Sequence, residues 1–342
     1  MAELIPLRAY SAGVNSPAPR YRVFQFKAKF RDAGYDLIAR HTPFGGYPPR
    51  ARALRPLWGG ASLLWRAAQM IETHRRGINF FQRELISTMA TVEWMAGGPR
   101  VFDVDDAIWL LARGRGTDTI AAHADLVICG NSFLADHYRG VSQNVIIVPT
   151  AVDTSSYPET VRQTRDTLVI GWSGTSGGFK YLEGIQDALM SVLQALPAAR
   201  LRILADRAPV LPRVPVDRLE FIKWTPQREA SVISGFDVGI MPLSNTEWER
   251  GKCSFKMLQY MAARVPVVVS PIGMNQEVLS MGTVGLSAST EAEWVDAVIG
   301  VLTDRDAGLR MGRAGRAVVE RFFSREVVGR QLVSALDGIR PA

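Results

Sequence analysis

The sequence predicts an α/β protein made of two doubly wound domains, each built on a parallel sheet. Three observations carry this. Short apolar, β-branched runs alternate with segments of helical spacing along almost the whole chain. At 342 residues the chain is long enough for two or three domains, each with its own core. A polar stretch at Thr154–Asp166, TSSYPETVRQTRD, contains a proline and separates two strand-like runs, as a linker does.

The elements follow in order. The first half has apolar runs at Tyr21–Phe30 and Tyr35–Ile38 and a long helical stretch near Leu63–His74. Further runs follow at Ile78–Phe81, Arg100–Val104, Leu126–Cys129 and Val145–Val148. Between them Thr42–Arg55, rich in Gly, Pro and Arg, reads as a loop too poor in apolar residues to be core. The second half has runs at Thr167–Trp172, Arg202–Ala205, Leu219–Ile222, Val238–Met241 and Val265–Val269. Helical segments at Tyr181–Leu196 and Glu291–Leu302 lie among them. Doubly wound sheets bind ligands at the C-terminal edge of their strands, so two such domains facing a central cleft is the expected arrangement. The expected division is 1–155, 156–324 and a last helix in 325–342, with Ser324 as N-cap of Arg325–Leu336.

Composition narrows the class. The hydrophobic fraction of 47% is that of a globular protein, and no run approaches the ~20 apolar residues of a membrane span. MAELIPLRAY has no basic region followed by an apolar one, so a cytoplasmic protein is expected. Cys129 and Cys253 cannot build a disulfide framework. The four histidines, His41, His74, His123 and His137, have neither metal-ligand nor triad spacing. Charge is uneven: residues 1–83 hold 14 Lys/Arg and 4 Asp/Glu, a net +10 against +7 for the whole chain, leaving −3 for the remainder. Such a segment attracts an anion: nucleic acid, an acidic membrane surface or a phosphorylated substrate.

The densest chemistry lies at Phe236–Leu279. Phe236–Met241 reads as a buried strand closed by Pro242, and Glu247–Ser254 as a polar loop with Arg250 and Lys252. A helix over Phe255–Ala263 carries Lys256 in its first turn, a strand follows at Val265–Ser270, and Gly273 permits a tight turn before the next helix. Cations entering a helix N-terminus beside a glycine turn suit a phosphate. Ile170–Ala188, IGWSGTSGGFKYLEGIQDA, is a second strand–loop–helix unit, in which Gly174 and Thr175 precede Lys180. Val101–Trp109 ends a strand in Asp103, Asp105 and Asp106; these suit contact with substrate hydroxyls, a helix cap from Asp106, or a divalent cation.

These motifs resemble the family 4, or group 1, retaining glycosyltransferases, whose fold is GT-B. LQYMAARVPVVVSPIGMNQE fits the family's "LEAMA-x-G-x-PVV-x-S-x-x-G-x-x-x-E", with Glu277 at the last Glu. IIVPTAVD (Ile146–Asp153) is similar to "IPNGVD", and the stretch from Met311 to Ser324 to the family's terminal signature. Gln259 stands at the second Glu of the E-x7-E pair, Gly251 at the first, and Arg264 where Gly is usual.

The resemblance implies transfer of a sugar from a nucleotide-diphospho-sugar to a hydroxyl of a glycan or lipid-linked acceptor. No cofactor and no metal are then expected, the charge being supplied by Lys180, Lys252 and Lys256. Donor diphosphate falls to Gly174, Thr175, Lys180, Arg250, Lys252, Ser254 and Lys256, and ribose or base to Gln259 and Trp224. The donor sugar falls to Gly251, Asn275 and Glu277, and catalysis to Asp105, Asp106 and Lys256. Acceptor candidates are Gly13, Ser16, Arg20 and Arg83. The basic first segment suits the inner face of a cytoplasmic membrane, and no nucleic-acid-binding motif is present. A non-catalytic nucleotide-sugar-binding or glycan-binding subunit is the alternative, since Gly251 replaces a Glu and no Arg precedes Lys180.

Overall fold

The computed structural model describes residues 3–13, 16–45, 48–49, 51–86, 91–111, 115–157 and 167–341. It divides into two compact units. The first comprises Met1–Ala151, Arg250–Cys253 and Arg325–Ala342, and the second Val152–Glu249 and Ser254–Ser324.

The strands of the first unit are β1 (Ile5–Tyr10), β2 (Tyr35–Arg40), β3 (Ile78–Gln82), β4 (Arg100–Val104), β5 (Leu126–Cys129) and β6 (Val145–Ile147). They form one sheet in the order β2-β1-β3-β4-β5-β6, with every pairing parallel. Register places Phe80 beside Val101 and Val101 beside Leu126, so the central strands are apolar on both faces. The helix Arg325–Asp337 belongs here. Val328, Leu332 and Leu336 repeat at i, i+4 and i+8 and join the core of Phe26, Phe30 and Tyr35. Burying each contributes about 1.5–3 kcal/mol. Tyr35 Oη donates to Asp337 at 2.6 Å, which pins the end of that helix.

The second unit holds β7 (Leu168–Gly174), β8 (Ala199–Ala205), β9 (Leu219–Lys223), β10 (Val238–Met241), β11 (Val267–Val269) and β12 (Gly285–Ser287). Their order is β12-β11-β10-β7-β8-β9, again parallel throughout. Leu189, Val192 and Leu193 of the helix Gln186–Ala195 and Trp294, Val298 and Val301 of Glu291–Thr303 fill its core with Trp172, Leu201 and Ile203. Thr290 and Glu293 form a reciprocal capping box at the start of the latter helix.

Five expectations need correction. Tyr21–Phe30 is helical, within Pro17–Arg22, Phe24–Phe26 and Lys27–Asp32, because its apolar residues cover the sheet instead of joining it. The segment Tyr181–Leu196 is two helices, Phe179–Glu183 and Gln186–Ala195, interrupted at Gly184. Glu247–Arg250 is a helical turn within the expected polar loop. Asp106 makes no helix cap: a 3-10 turn follows at Ile108–Leu110 without side-chain capping, and the carboxylate turns to cations. The helix expected near Leu63–His74 starts earlier, at Arg55, with Pro56 tolerated in its first turn. Part of Thr42–Arg55 and the linker residues 158–166 lie outside the described residues.

Arg264 explains its own departure from the motif. Its φ is +55°, the left-handed region that costs a side chain roughly 1–2 kcal/mol and glycine nothing comparable. Gly312 packs on its carbonyl so tightly that a Cβ there would lie 2.1 Å from the oxygen. We expect Arg264→Val to be less stable than Arg264→Gly by about 1 kcal/mol or more, both variants having lost the guanidinium. Urea unfolding midpoints of the two variants measure this; equal midpoints would show that the turn relaxes away from positive φ.

Candidate functional site

In the second unit the strand order reverses beside β7. The chain runs outward through β8 and β9, then returns to the other side of β7 for β10, β11 and β12. Loops leaving β7 and β10 therefore diverge at their C-terminal ends, where an open parallel sheet has its ligand crevice. Gly174, at the end of β7, and Lys256, in the first turn of the helix Phe255–Ala262, meet there. A Cβ at Gly174 would fall 2.5 Å from Lys256 Cε and 2.7 Å from the Trp172 ring. Glycine at 174 thus lets the lysine cross the strand end, with its amine 5.7 Å from the Trp172 ring centroid. Tyr260 braces the same strand end: its hydroxyl accepts from Ser173 N–H at 2.8 Å. Burial pushes the Tyr260 phenol up to about 12, so it remains neutral. Its ring lies over Gly239, where a Cβ would come within 2.4 Å.

The loop after β7 offers fewer amides than its glycines suggest. Thr175 is extended, Ser176 N–H donates to Asp206 at 2.5 Å, and Gly178 N–H to the Thr175 carbonyl. Lys180 lies 3.2 Å from Glu249, a buried carboxylate that also accepts from Tyr181 and Thr246 hydroxyls. Burial works to raise the Glu249 pKa, but those three hydrogen bonds and the Lys180 charge outweigh it and hold the carboxyl below its ordinary value.

Ser254 precedes the helix of Lys256 in a left-handed conformation, φ +48°. Its hydroxyl donates to Asn275 Oδ1 at 2.7 Å, and Asn275 Nδ2 donates to the Ser270 carbonyl at 3.0 Å. Asn275 is fully buried and spends both ends of its amide inside the protein, so it positions Ser254 and does not face a sugar. Gly273, φ +53° and ψ −133°, makes a turn open only to glycine before the helix Met274–Leu279, whose first turn carries Glu277. Gln259 is 4% exposed and donates to Tyr157 Oη at 3.2 Å. Trp224 follows β9, with its indole N–H on Glu229 at 2.8 Å, and joins none of these groups through a hydrogen bond or ring contact.

Arg250, Gly251 and Lys252 fall in the first unit, and the other diphosphate candidates in the second. Asn131 donates to the carbonyls of Arg250 and Lys252 at 3.3 and 3.1 Å while its oxygen caps the helix Ser132–Arg139. A Cβ at Gly251 would meet Ala107 Cβ at 2.6 Å and its backbone nitrogen at 2.8 Å. No glutamate fits at 251, which gives the missing first Glu a physical reason. Cys253 Sγ packs on the Asp105 carbonyl at 3.2 Å, and burial raises its thiol pKa.

The three aspartates at the end of β4 and just after it are bound to cations. Asp103 is buried against Arg22, whose Nε lies 3.1 Å from both carboxylate oxygens. Burial opposes the Arg22 charge, but Asp103 outweighs it and raises the guanidinium pKa. Arg83, left-handed at φ +61°, reaches Asp105 with Nε at 2.6 Å and Asp106 with Nη2 at 2.5 Å. Lys252 stands 3.6 Å from Asp106. Burial works against an Asp105 anion, but Arg83 and then Arg22 hold its pKa below the usual range. An arginine-bound anion suits orientation and charge balance better than proton donation. Among the acceptor candidates, Gly13 takes φ +124° and donates to Ser11 Oγ at 3.2 Å, Ser16 N–H donates to the Gly13 carbonyl, and the Arg20 guanidinium lies over the Tyr21 ring. With Arg83 they leave β1 and β3, the strands between which the first sheet reverses. Sequence reasoning missed Arg22, Trp172, Tyr181 and Tyr260, since each acts through a partner distant in the chain.

Comparison with known proteins agrees with this geometry. Residues 167–304 match the family described as Glycosyl transferases group 1. Sucrose-phosphate synthase from Thermosynechococcus elongatus is similar in structure, with 14% identity over 98% of each chain and a TM-score of 0.72. HepE from Anabaena, solved with UDP, has 13% identity, covers 98% of this chain and 100% of its own, and has a TM-score of 0.67. WaaG, a glycosyltransferase involved in lipopolysaccharide biosynthesis, has 12% identity over 99% of this chain and 100% of its own, with a TM-score of 0.67. None of the curated proteins matches the sequence. The fold is GT-B, and the segment 167–304 is similar to the group 1 glycosyltransferases.

The lowered Glu249 pKa has a pH consequence. Its stabilisation is fully present above the unfolded-state carboxyl pKa of about 4.3 and is lost as pH falls through the lower folded value. We expect the native protein to lose melting temperature more steeply than Glu249→Gln between about pH 5 and pH 3. Parallel slopes for the two proteins would contradict the assignment.

Proposed function

We propose that the protein is a retaining glycosyltransferase that moves a hexose from a nucleotide-diphospho-sugar to a hydroxyl of a glycan or lipid-linked acceptor. Its setting is cell-envelope or exopolysaccharide assembly at the inner face of the cytoplasmic membrane. The observation that carries this reading is Lys256, which crosses Gly174 at the reversal point of the second sheet, inside the matched family segment. A cation on a helix's first turn beside a strand end supplies what a departing diphosphate needs, because the negative charge growing on it is met by a group already in place. Lys180, released from Glu249 when a diphosphate arrives, adds a second charge. With lysines in that role the reaction needs no metal.

Gln259 and Tyr157 form the pair nearest in chemistry to a ribose contact, and Glu277, in the first turn of its helix, is the carboxylate for the sugar. Asp105 and Asp106, both paired with Arg83, suit hydroxyl contacts. The UDP bound in the HepE structure supports uridine donors as the first to test, and the role of WaaG supports an envelope glycan. A non-catalytic sugar-nucleotide-binding subunit is the second reading, favoured by the lack of room for a carboxylate at 251.

A thermal-shift panel of UDP-, GDP-, ADP- and dTDP-sugars tests the reading. A true donor at about 100 times its dissociation constant stabilises by ~2.7 kcal/mol. Lys256→Ala should lose most nucleoside-diphosphate binding and leave nucleoside binding unchanged; equal loss of both would point to misfolding of the strand end. A donor that binds but is neither transferred nor hydrolysed would favour the non-catalytic reading. Once a donor is known, turnover should survive EDTA, and loss restored by Mg²⁺ would assign the aspartates to a metal.

A further inference from the structure

The helix Arg55–Thr73 is inside out. The residues it buries are Ser62, Arg66, Met70 and Thr73, three of the four polar, and Arg66 is 0% exposed. Arg66 donates from Nη2 to the Ser11 carbonyl at 2.9 Å and from Nη1 to Gln69 at 2.9 Å and the Arg40 carbonyl at 3.3 Å. Trp58 and Trp65 turn their indole N–H groups onto the carbonyls of Phe44 and His41, at 2.9 and 3.3 Å. Polar atoms therefore tie the inner side of the helix to the ends of β1 and β2. The outer side is apolar. Leu57, Leu64 and Ile71 are 74%, 75% and 71% exposed. They recur every seven residues, with Ala61 and Ala68 between them, so they form one stripe. A surface helix of a globular protein has the opposite arrangement.

We propose that this stripe docks on an anionic lipid bilayer, with the helix lying in the plane of the surface. The inference specifies the element behind the membrane part of the reading above and does not depend on the transferase part. No described helix is long and apolar enough to cross a membrane. Exposed arginines bracket the stripe: Arg52 and Arg55 at one end, Arg75 and Arg76 at the other, Arg76 lying 3.8 Å from Glu3. Glu72 is the single acidic residue from 48 to 76, and Arg40 neutralises it at 2.7 Å. Apolar residues on one side with cations at both ends match the acyl boundary and the headgroups of an anionic leaflet. A second copy of the chain fits less well. Packed in either direction along this stripe, it would set arginines against arginines at both ends, a repulsion that phospholipid headgroups reverse.

The test is flotation of the full chain with vesicles of phosphatidylcholine alone or mixed with phosphatidylglycerol, at rising salt. Binding to the anionic vesicles that weakens with salt is expected. The double variant L64Q/I71Q should lower the bound fraction about tenfold or more at every salt concentration. R52Q/R55Q should lower it chiefly at low salt. Both pairs are exposed, so melting temperatures and the nucleotide-sugar thermal shifts should stay at native values, which separates failure here from failure of the transferase reading. No binding of the native chain to anionic vesicles, or binding that L64Q/I71Q leaves intact, overturns the proposal. So does a native dimer that L64Q/I71Q converts to monomer without vesicle binding, which would assign the stripe to self-association.

Discussion

Parallel strands cannot be joined by tight hairpins, and each must be reached by a crossover that passes over a face of the sheet. Both sheets here are parallel throughout, and this constraint organises the rest. It buries every central strand on two sides, which is why those strands are nearly unbroken runs of Val, Ile, Leu and Phe. It also sends all loops that leave strand C-termini to one edge. At that edge the reversal of strand order, at β1/β3 in one unit and β7/β10 in the other, opens the place where side chains can converge without filling the core. Gly174, Lys256 and Trp172 occupy one such point, and Arg83 with Asp105 and Asp106 lies beside the other.

Charge pairing then decides what those side chains are free to do. A buried carboxylate is tolerated only with cations or donors around it. Glu249 is held by Lys180, Tyr181 and Thr246, and Asp103 by Arg22. The same pairs hold Lys180 and Arg22 in place beside their carboxylates. Among the described residues three non-glycine residues take positive φ; two of them, Arg83 and Ser254, stand within these groups, and their strain is sustained by the hydrogen bonds of Asp105, Asp106 and Asn275.

Between sheet edge and solvent, the helix Arg55–Thr73 resolves a conflict in its own composition. Its Arg66 finds the carbonyls of Ser11 and Arg40 at the strand ends, and its leucines and isoleucine are left outside. A periodicity argument alone would have turned the helix the other way. Here specific polar contacts overrule the hydrophobic pattern, and the exposed stripe is the result.

The sequence by itself determined the α/β class, the alternation of strand and helix, and the place of Lys256 in a helix's first turn, because buried parallel strands and helix-opening loops leave local patterns a few residues long. The fit of LQYMAARVPVVVSPIGMNQE to a family motif belongs to the same local level, as does the match at 167–304. Even the departures at 251 and 264 were visible, but not their cause. That cause is tertiary: Ala107 leaves no space for a side chain at 251, and Arg264 accepts a glycine-like φ in a turn closed by Gly312. The partners of Lys180, Gln259, Asn275 and the aspartates also lay out of reach of local reasoning. Each is separated from its counterpart in sequence and meets it only when crossovers bring strand ends together. Spacing along a chain fixes which face a residue takes within its own element, whereas the partner on the next element is set by how those elements pack.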